Sequence, residues 1–123
     1  MAPAAWRNHA RVRAPTLTDG VVTLRAHTAD DVAGLVAYAR DPETARWTRV
    51  PRPYGPAEAR RWIERTVPAG WRDGTVARWV VEADGRFAGA VDVHRGTPPF
   101  VGYGLGPQAR GRGLASRALR LAA

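Results

Sequence analysis

The chain has 123 residues, a formal net charge of +8 and no cysteine. That length predicts a single domain, and the missing cysteine excludes disulfides and thiolate metal centres. No apolar run approaches the ~20 residues that a membrane-spanning helix needs. Residues 1–15 carry Arg7, Arg11 and Arg13 without an apolar stretch, so they read as a flexible basic tail and not as a secretory signal. All 19 basic residues are arginine. A basic nucleic-acid-binding protein is one reading of that charge. The arginines are dispersed and sit near Asp or Glu, however, and together with the abundant alanine they fit GC-rich coding bias better. An anionic small-molecule partner suits the same charge, and a cysteine-free chain is compatible with the reducing cytoplasm, the expected location.

In chain order, Asp19-Gly20 predicts a turn and Val21 to Arg25 the first strand. Thr28 can cap a helix whose first turn holds Asp30 and Asp31. Val32, Leu35, Val36 and Ala39 fall on one helical face, and Asp41-Pro42 stops it. The segment Arg46 to Tyr54, with two aromatics and two prolines, reads as a loop or a very short helix. Gly55-Pro56 restarts a helix with Ala59, Trp62, Ile63, Thr66 and Val67 on its apolar face, Trp62 being read as core.

Thr75 to Ala83 and Arg86 to His94 predict a hairpin about Asp84-Gly85. A two-residue turn would set Trp79 opposite Ala90 and Ala77 opposite Asp92. Asp92 and His94 then share one face, as a proton-relay pair or a solvated pair, with Glu82 on the other face. Gly96 to Pro99 connects to a strand from Phe100 to Leu105, one face of which Gly102, Gly104 and Gly106 leave nearly bare. The three histidines lack clustered carboxylates and give no metal site.

The chain then runs Gln108-Ala109-Arg110-Gly111-Arg112-Gly113-Leu114-Ala115 into a helix with Leu114, Ala118 and Leu121 on one side and Ser116, Arg117 and Arg120 on the other. A strand, a glycine-bearing turn and a helix start gather backbone N–H groups and a partial positive charge at one point, which suits a phosphate. Arg110 and Arg112 add planar donor forks. No Gly-Lys-Ser/Thr is present, so this is not a Walker loop, and the Rossmann spacing is absent.

This string resembles the acyl-CoA-binding signature Q/R-x-x-G-x-G/A of the GNAT acetyltransferase superfamily, with Gln108, Gly111 and Gly113 at its fixed positions. It is most similar to the RimJ/RimL-like branch, to which Thr18–Arg25, Asp84–Ala90 and Val101–Leu105 add further likeness. The resemblance implies an α/β fold, a mixed and mostly antiparallel sheet flanked by helices, with residues 16–123 as the N-terminal and acetyl-CoA-binding part. The strands and helix that close the family's domain at its C-terminal side are lacking, so an exposed sheet edge and self-association are expected.

The implied function is acetyl-CoA-dependent N-acetyltransfer to a primary amine, a protein N-terminus or a small molecule, by direct attack. A non-catalytic acyl-CoA-binding module is the alternative. Leu105 and Gly106 would contact pantetheine. Gln108 would shape the turn, and backbone N–H groups from Arg110 through Gly111, Arg112, Gly113, Leu114 and Ala115, with Ser116, would hold the diphosphate. Relatives often carry a glutamate where this chain has Phe100 and Val101, so the catalytic residues stay unassigned.

Overall fold

The computed structural model describes residues 14–42, 54–96, 100–106, 109–110 and 113–122. The basic tail up to residue 13, most of the loop from Trp47, the connector residues 97–99, and Gln108, Gly111 and Arg112 lie outside them. Ala14 and Pro15, read as the end of the tail, belong to the body. Ala14 packs on the core, and the Pro15 carbonyl accepts the Trp79 indole N–H at 3.0 Å.

Among the described residues, five strands form one sheet in chain order, and every pairing is antiparallel. The strands are β1 (Leu17–Thr18), β2 (Val22–Arg25), β3 (Val76–Ala83), β4 (Arg86–His94) and β5 (Phe100–Leu105). The first strand expected from the sequence is therefore the second, because a two-residue strand precedes the Asp19-Gly20 turn. In that turn Asp19 Oδ1 accepts the N–H groups of Val21 and Val22, each at 2.9 Å.

A 3-10 turn (Ala29–Asp31) leads into α1 (Val32–Arg40). Thr28 is the N-cap, as expected, and the Asp31 carboxylate reaches back to its N–H at 2.7 Å. Next come α2 (Pro56–Arg61), a π turn (Trp62–Thr66) and α3 (Val67–Asp73) as one continuous run. The Val67 N–H bonds the Trp62 carbonyl, and Pro68, which follows, has no N–H to offer. That extra residue rotates the helix phase. Ala59 and Val67 are buried as expected, whereas Thr66 is exposed. Gly74, at φ +69, closes α3, with the Thr75 N–H on the Gly70 carbonyl at 3.0 Å.

Asp84 and Gly85, at φ +56 and +73, make the two-residue turn that matches strand twist. The register beyond it corrects the expectation. Glu82 pairs with Phe87, but Val81 pairs with Gly89, so Ala88 is an extra residue in a β-bulge. Trp79 therefore faces Val91, not Ala90, and Ala77 faces Val93, not Asp92. A one-residue slip exchanges the two faces of a strand. Without the bulge Asp92 would point into the core; with it, Val91 and Val93 do. The same slip moves Asp92 and His94 onto the face that carries Glu82, which had been expected on the opposite one.

The core lies on the face covered by α4 (Leu114–Ala122). Val22, Leu24, Trp79, Val81 and Val91 pack there with Leu114, Ala118 and Ala122. Ala122 takes the place expected for Leu121, which is half-buried. Trp71 of α3 meets Trp79 edge-on at 5.0 Å between ring centroids. The other face, under α1, is partly charged. Arg25 bonds Glu82 Oε2 at 2.6 Å and both oxygens of Asp31 at 2.9 Å. Asp31 is 3 % exposed; burial alone would raise its pKa, but Arg25 and the Thr28 N–H hold it below the usual carboxylate range. His27 lies beside this group, and burial pulls its pKa down to about 4.

Two predictions follow from the packing. An unfolded histidine titrates near 6.5 and folded His27 near 4, so acid favours the unfolded chain across that window. Stability should fall by on the order of 3 kcal/mol between those pH values, and His27→Gln should remove most of that slope in urea unfolding at a series of pH values. A Cβ at Gly89 would overlap the Gly104 carbonyl, whereas one at Gly102 reaches only the Phe100 ring at 3.6 Å. Gly89→Ala should cost about 2–3 kcal/mol and Gly102→Ala under about 1 kcal/mol by urea titration.

Candidate functional site

The phosphate turn predicted from the sequence begins where β5 ends. Leu105 pairs with Gly89, and the buried Gly106 donates its N–H to the carbonyl of Ala88, the bulged residue, at 2.8 Å. The Gly106 carbonyl then accepts the Ala109 N–H at 3.0 Å, which turns the chain. Ala109 is buried in the core and Arg110 is exposed. Gly113 sits at φ +70, in the left-handed region that side chains disfavour, and α4 starts at the next residue. Leu114 plugs the core, so only its main chain can meet a ligand. Ala115 is half-buried and Ser116 exposed.

The fold thus brings Leu105, Gly106, Arg110, Gly113, Leu114, Ala115 and Ser116 together, as a strand end, a turn and a helix entrance. The first N–H groups of a helix have no partner within it and carry its positive end. Two arginine side chains near it, Arg110 and Arg117, are engaged elsewhere. Arg110 forms an ion pair with Asp41, just past α1, instead of standing free as a phosphate fork. Arg117 bonds Asp19 Oδ2 at 2.9 Å. Asp19 is held down to about 2, chiefly by the N–H groups of Val22 and Val21 and further by Arg117.

A cavity of about 340 Å³ adjoins Gly106, between α1 and the sheet, lined by Gly34, Ala37, Tyr38, Arg40, Asp41 and Phe87. Sequence reasoning missed this wall. Gly34 within the helical stripe was the available signal, since glycine there marks close approach: a Cβ at Gly34 would fall 2.8 Å from Phe87 Cγ. The glycine face of β5 is also less bare than expected, because the Tyr38 hydroxyl occupies the space over Gly104. Burial pushes the Tyr38 phenol up to about 12, so it is a neutral donor at physiological pH.

Of the candidate proton carriers, Asp92 Oδ2 stands 3.9 Å from His94 Nε2 and 3.8 Å from Arg78 Nε. Burial raises the Asp92 pKa, against the pull of Arg78 and His94. Arg78 stacks over the Trp62 ring at 4.6 Å from its centroid. Glu82 is engaged by Arg25 and does not join this group.

Residues 22–123 match the family model for the acetyltransferase (GNAT) domain. A search of curated proteins finds no match. Among solved structures, a proposed ribosomal-protein-serine acetyltransferase from Vibrio cholerae superposes with a TM-score of 0.72 at 20 % identity, over 97 % of this chain and 64 % of that one. RimL, a ribosomal L7/L12 α-N-protein acetyltransferase solved with coenzyme A, gives 0.70 at 16 % identity, over 87 % and 64 %. Mycobacterium smegmatis RimJ, solved with CoA-disulfide, gives 0.70 at 22 % identity, over 87 % and 57 %. The chain therefore spans less than two thirds of the length of these structures, and the likeness establishes the fold. With its family model spanning β2 to the last residue, the chain belongs to the GNAT acetyltransferase domain family.

Proposed function

We propose that this chain binds acetyl-CoA at the β5–α4 turn and that the protein transfers the acetyl group to a primary amine. The observation that carries this reading is the Gly106–Gly113 geometry. A strand end pinned through its N–H and a left-handed glycine at the entrance of α4 bracket the turn, and the space beside that glycine is open. A diphosphate suits such a turn because the donors are fixed before the anion arrives. The pantetheine arm then runs along Leu105 and Gly106. Transfer follows as direct attack of a neutral amine on the thioester carbonyl. The C–S bond breaks, coenzyme A leaves as a thiolate, and the nitrogen loses a proton. RimL and RimJ, both solved with forms of coenzyme A, support the same reading by likeness. A protein N-terminus and a small amine are both acceptors of the right chemistry.

The exposed edge supports a further part of this reading. Phe100, Val101 and Tyr103 are 60 %, 46 % and 58 % exposed on β5, whose outer edge pairs with no strand among the described residues. Such an edge favours association of copies of the chain.

Calorimetry with acetyl-CoA tests the binding site. Gly113→Val should lower affinity at least about ten-fold, because a β-branched residue cannot hold φ +70 without strain. Arg110→Ala should lower it less, since that side chain is already paired with Asp41. Unchanged affinity in Gly113→Val would remove the site. Thiol release across a panel of amines then separates an acetyltransferase from a module that only binds the coenzyme. For the edge, sedimentation should show concentration-dependent association that Tyr103→Glu reverses.

A further inference from the structure

The Tyr38 hydroxyl is a donor without a use in the fold. It stands over β5, where a Cβ at Gly104 would overlap it. A phenol held this close to a sheet normally finds a hydrogen-bond partner, and this one has none among the described residues. The charges that act on it through space are Asp92, Arg110 and Asp41. Arg110 and Asp41 pair with each other, and Asp92 lies beside Arg78 and His94. The hydroxyl is not sealed either. Among the described residues, the buried side-chain atoms that lack a partner belong to His27 and Arg78, so the phenol oxygen keeps some open surface.

Packing fixes its position. The ring meets Phe87 edge-on, with 6.1 Å between centroids and 65° between planes. The Asp31–Arg25 ion pair anchors the start of α1, the helix that carries it. Beside the hydroxyl the surface of β5 is low. A Cβ at Gly102 would touch only the Phe100 ring, at 3.6 Å. Bare strand next to an unused donor leaves room for a ligand that brings an acceptor.

A pantetheine arm that leaves the β5–α4 turn and passes Gly106 and Leu105 runs on toward Gly104 and Gly102, since a strand advances about 3.3 Å per residue. Its sulfur end therefore arrives beside Tyr38. Resting on the coenzyme reading above, we infer that the Tyr38 hydroxyl donates a hydrogen bond to the carbonyl oxygen of the bound acyl thioester. Free coenzyme A ends in a thiol and has no oxygen there, so this donor distinguishes the charged coenzyme from the spent one. On attack the amine nitrogen bonds the carbonyl carbon, and the carbonyl π pair moves onto oxygen, where the Tyr38 O–H meets the growing charge. The pair returns as the C–S bond breaks, the thiolate leaves, and the excess proton on nitrogen passes to water. Tyr38 keeps its own proton throughout, because burial pushes the phenol up to about 12.

The test is calorimetry on the full chain with acetyl-CoA and with free coenzyme A, together with the ¹³C resonance of acetyl-CoA labelled at its thioester carbonyl. The unaltered chain should prefer acetyl-CoA. Its bound carbonyl resonance should lie downfield of the free one, because a hydrogen bond draws electrons from that carbon. Tyr38→Phe should lower acetyl-CoA affinity about five- to ten-fold and leave coenzyme A affinity within about two-fold. The same variant should return the carbonyl resonance toward its free position. Equal weakening of both ligands would show a merely structural role and overturn the assignment, as would affinities that do not change. A carbonyl resonance that fails to move when acetyl-CoA binds the unaltered chain overturns it without any variant, and leaves the coenzyme turn standing. If neither ligand binds the unaltered chain, the coenzyme turn is wrong and the role of Tyr38 falls with it.

Discussion

A single extra residue in β4 organises both sides of this sheet. Ala88 has no partner in β3, and its insertion sets which of the following residues face inward. Beyond it Val91 and Val93 meet Trp79 and Ala77, and Asp92 emerges beside Arg78. The Ala88 carbonyl also receives the Gly106 N–H, so the irregularity that corrects the hairpin anchors the start of the turn toward α4. Core composition and site placement are thus consequences of one local departure from regular pairing. Bulges are used this way where a strand must re-aim its side chains.

Much of this was legible in the sequence. The Asp84-Gly85 turn demanded two left-handed residues and obtained them. The Gly-Pro start of α2 and the entry to α4 are also where residue chemistry puts them. What stayed hidden was the count between fixed points. Nothing local to Ala88 distinguishes it from Ala90, and only the cost of burying Asp92 against Ala77 argues for the bulge. The π turn was hidden in the same way. Pro68 removes one N–H, but the resulting rotation that exposes Thr66 depends on how the whole run packs. At the candidate site, the glycines announced close approach, while the residue that approaches Gly104, Tyr38, lies 66 positions earlier in another element.

The two faces of the sheet are held by different physics. Beneath α4 the contacts are apolar and small, with alanines at 118 and 122 allowing the helix to lie close. Beneath α1 the sheet carries Arg25, Glu82, Arg78 and Asp92, which pair with one another and with Asp31. Removing one member of such a set strands its partner in a poorly solvated place. The charged face thus specifies how α1 seats, and the apolar face supplies most of the stabilisation.

The order of strands in the sheet is the order of strands in the chain. Each strand can therefore join a neighbour already made, and the β3–β4–β5 meander closes only short loops. The one long closure, between β2 and β3, is shortened by the helices that fill it. Contacts near in sequence lower the entropic barrier to reaching the native topology. A chain emerging from the ribosome can thus assemble these strands in order, with the β5–α4 turn joining a bulge that is already in place.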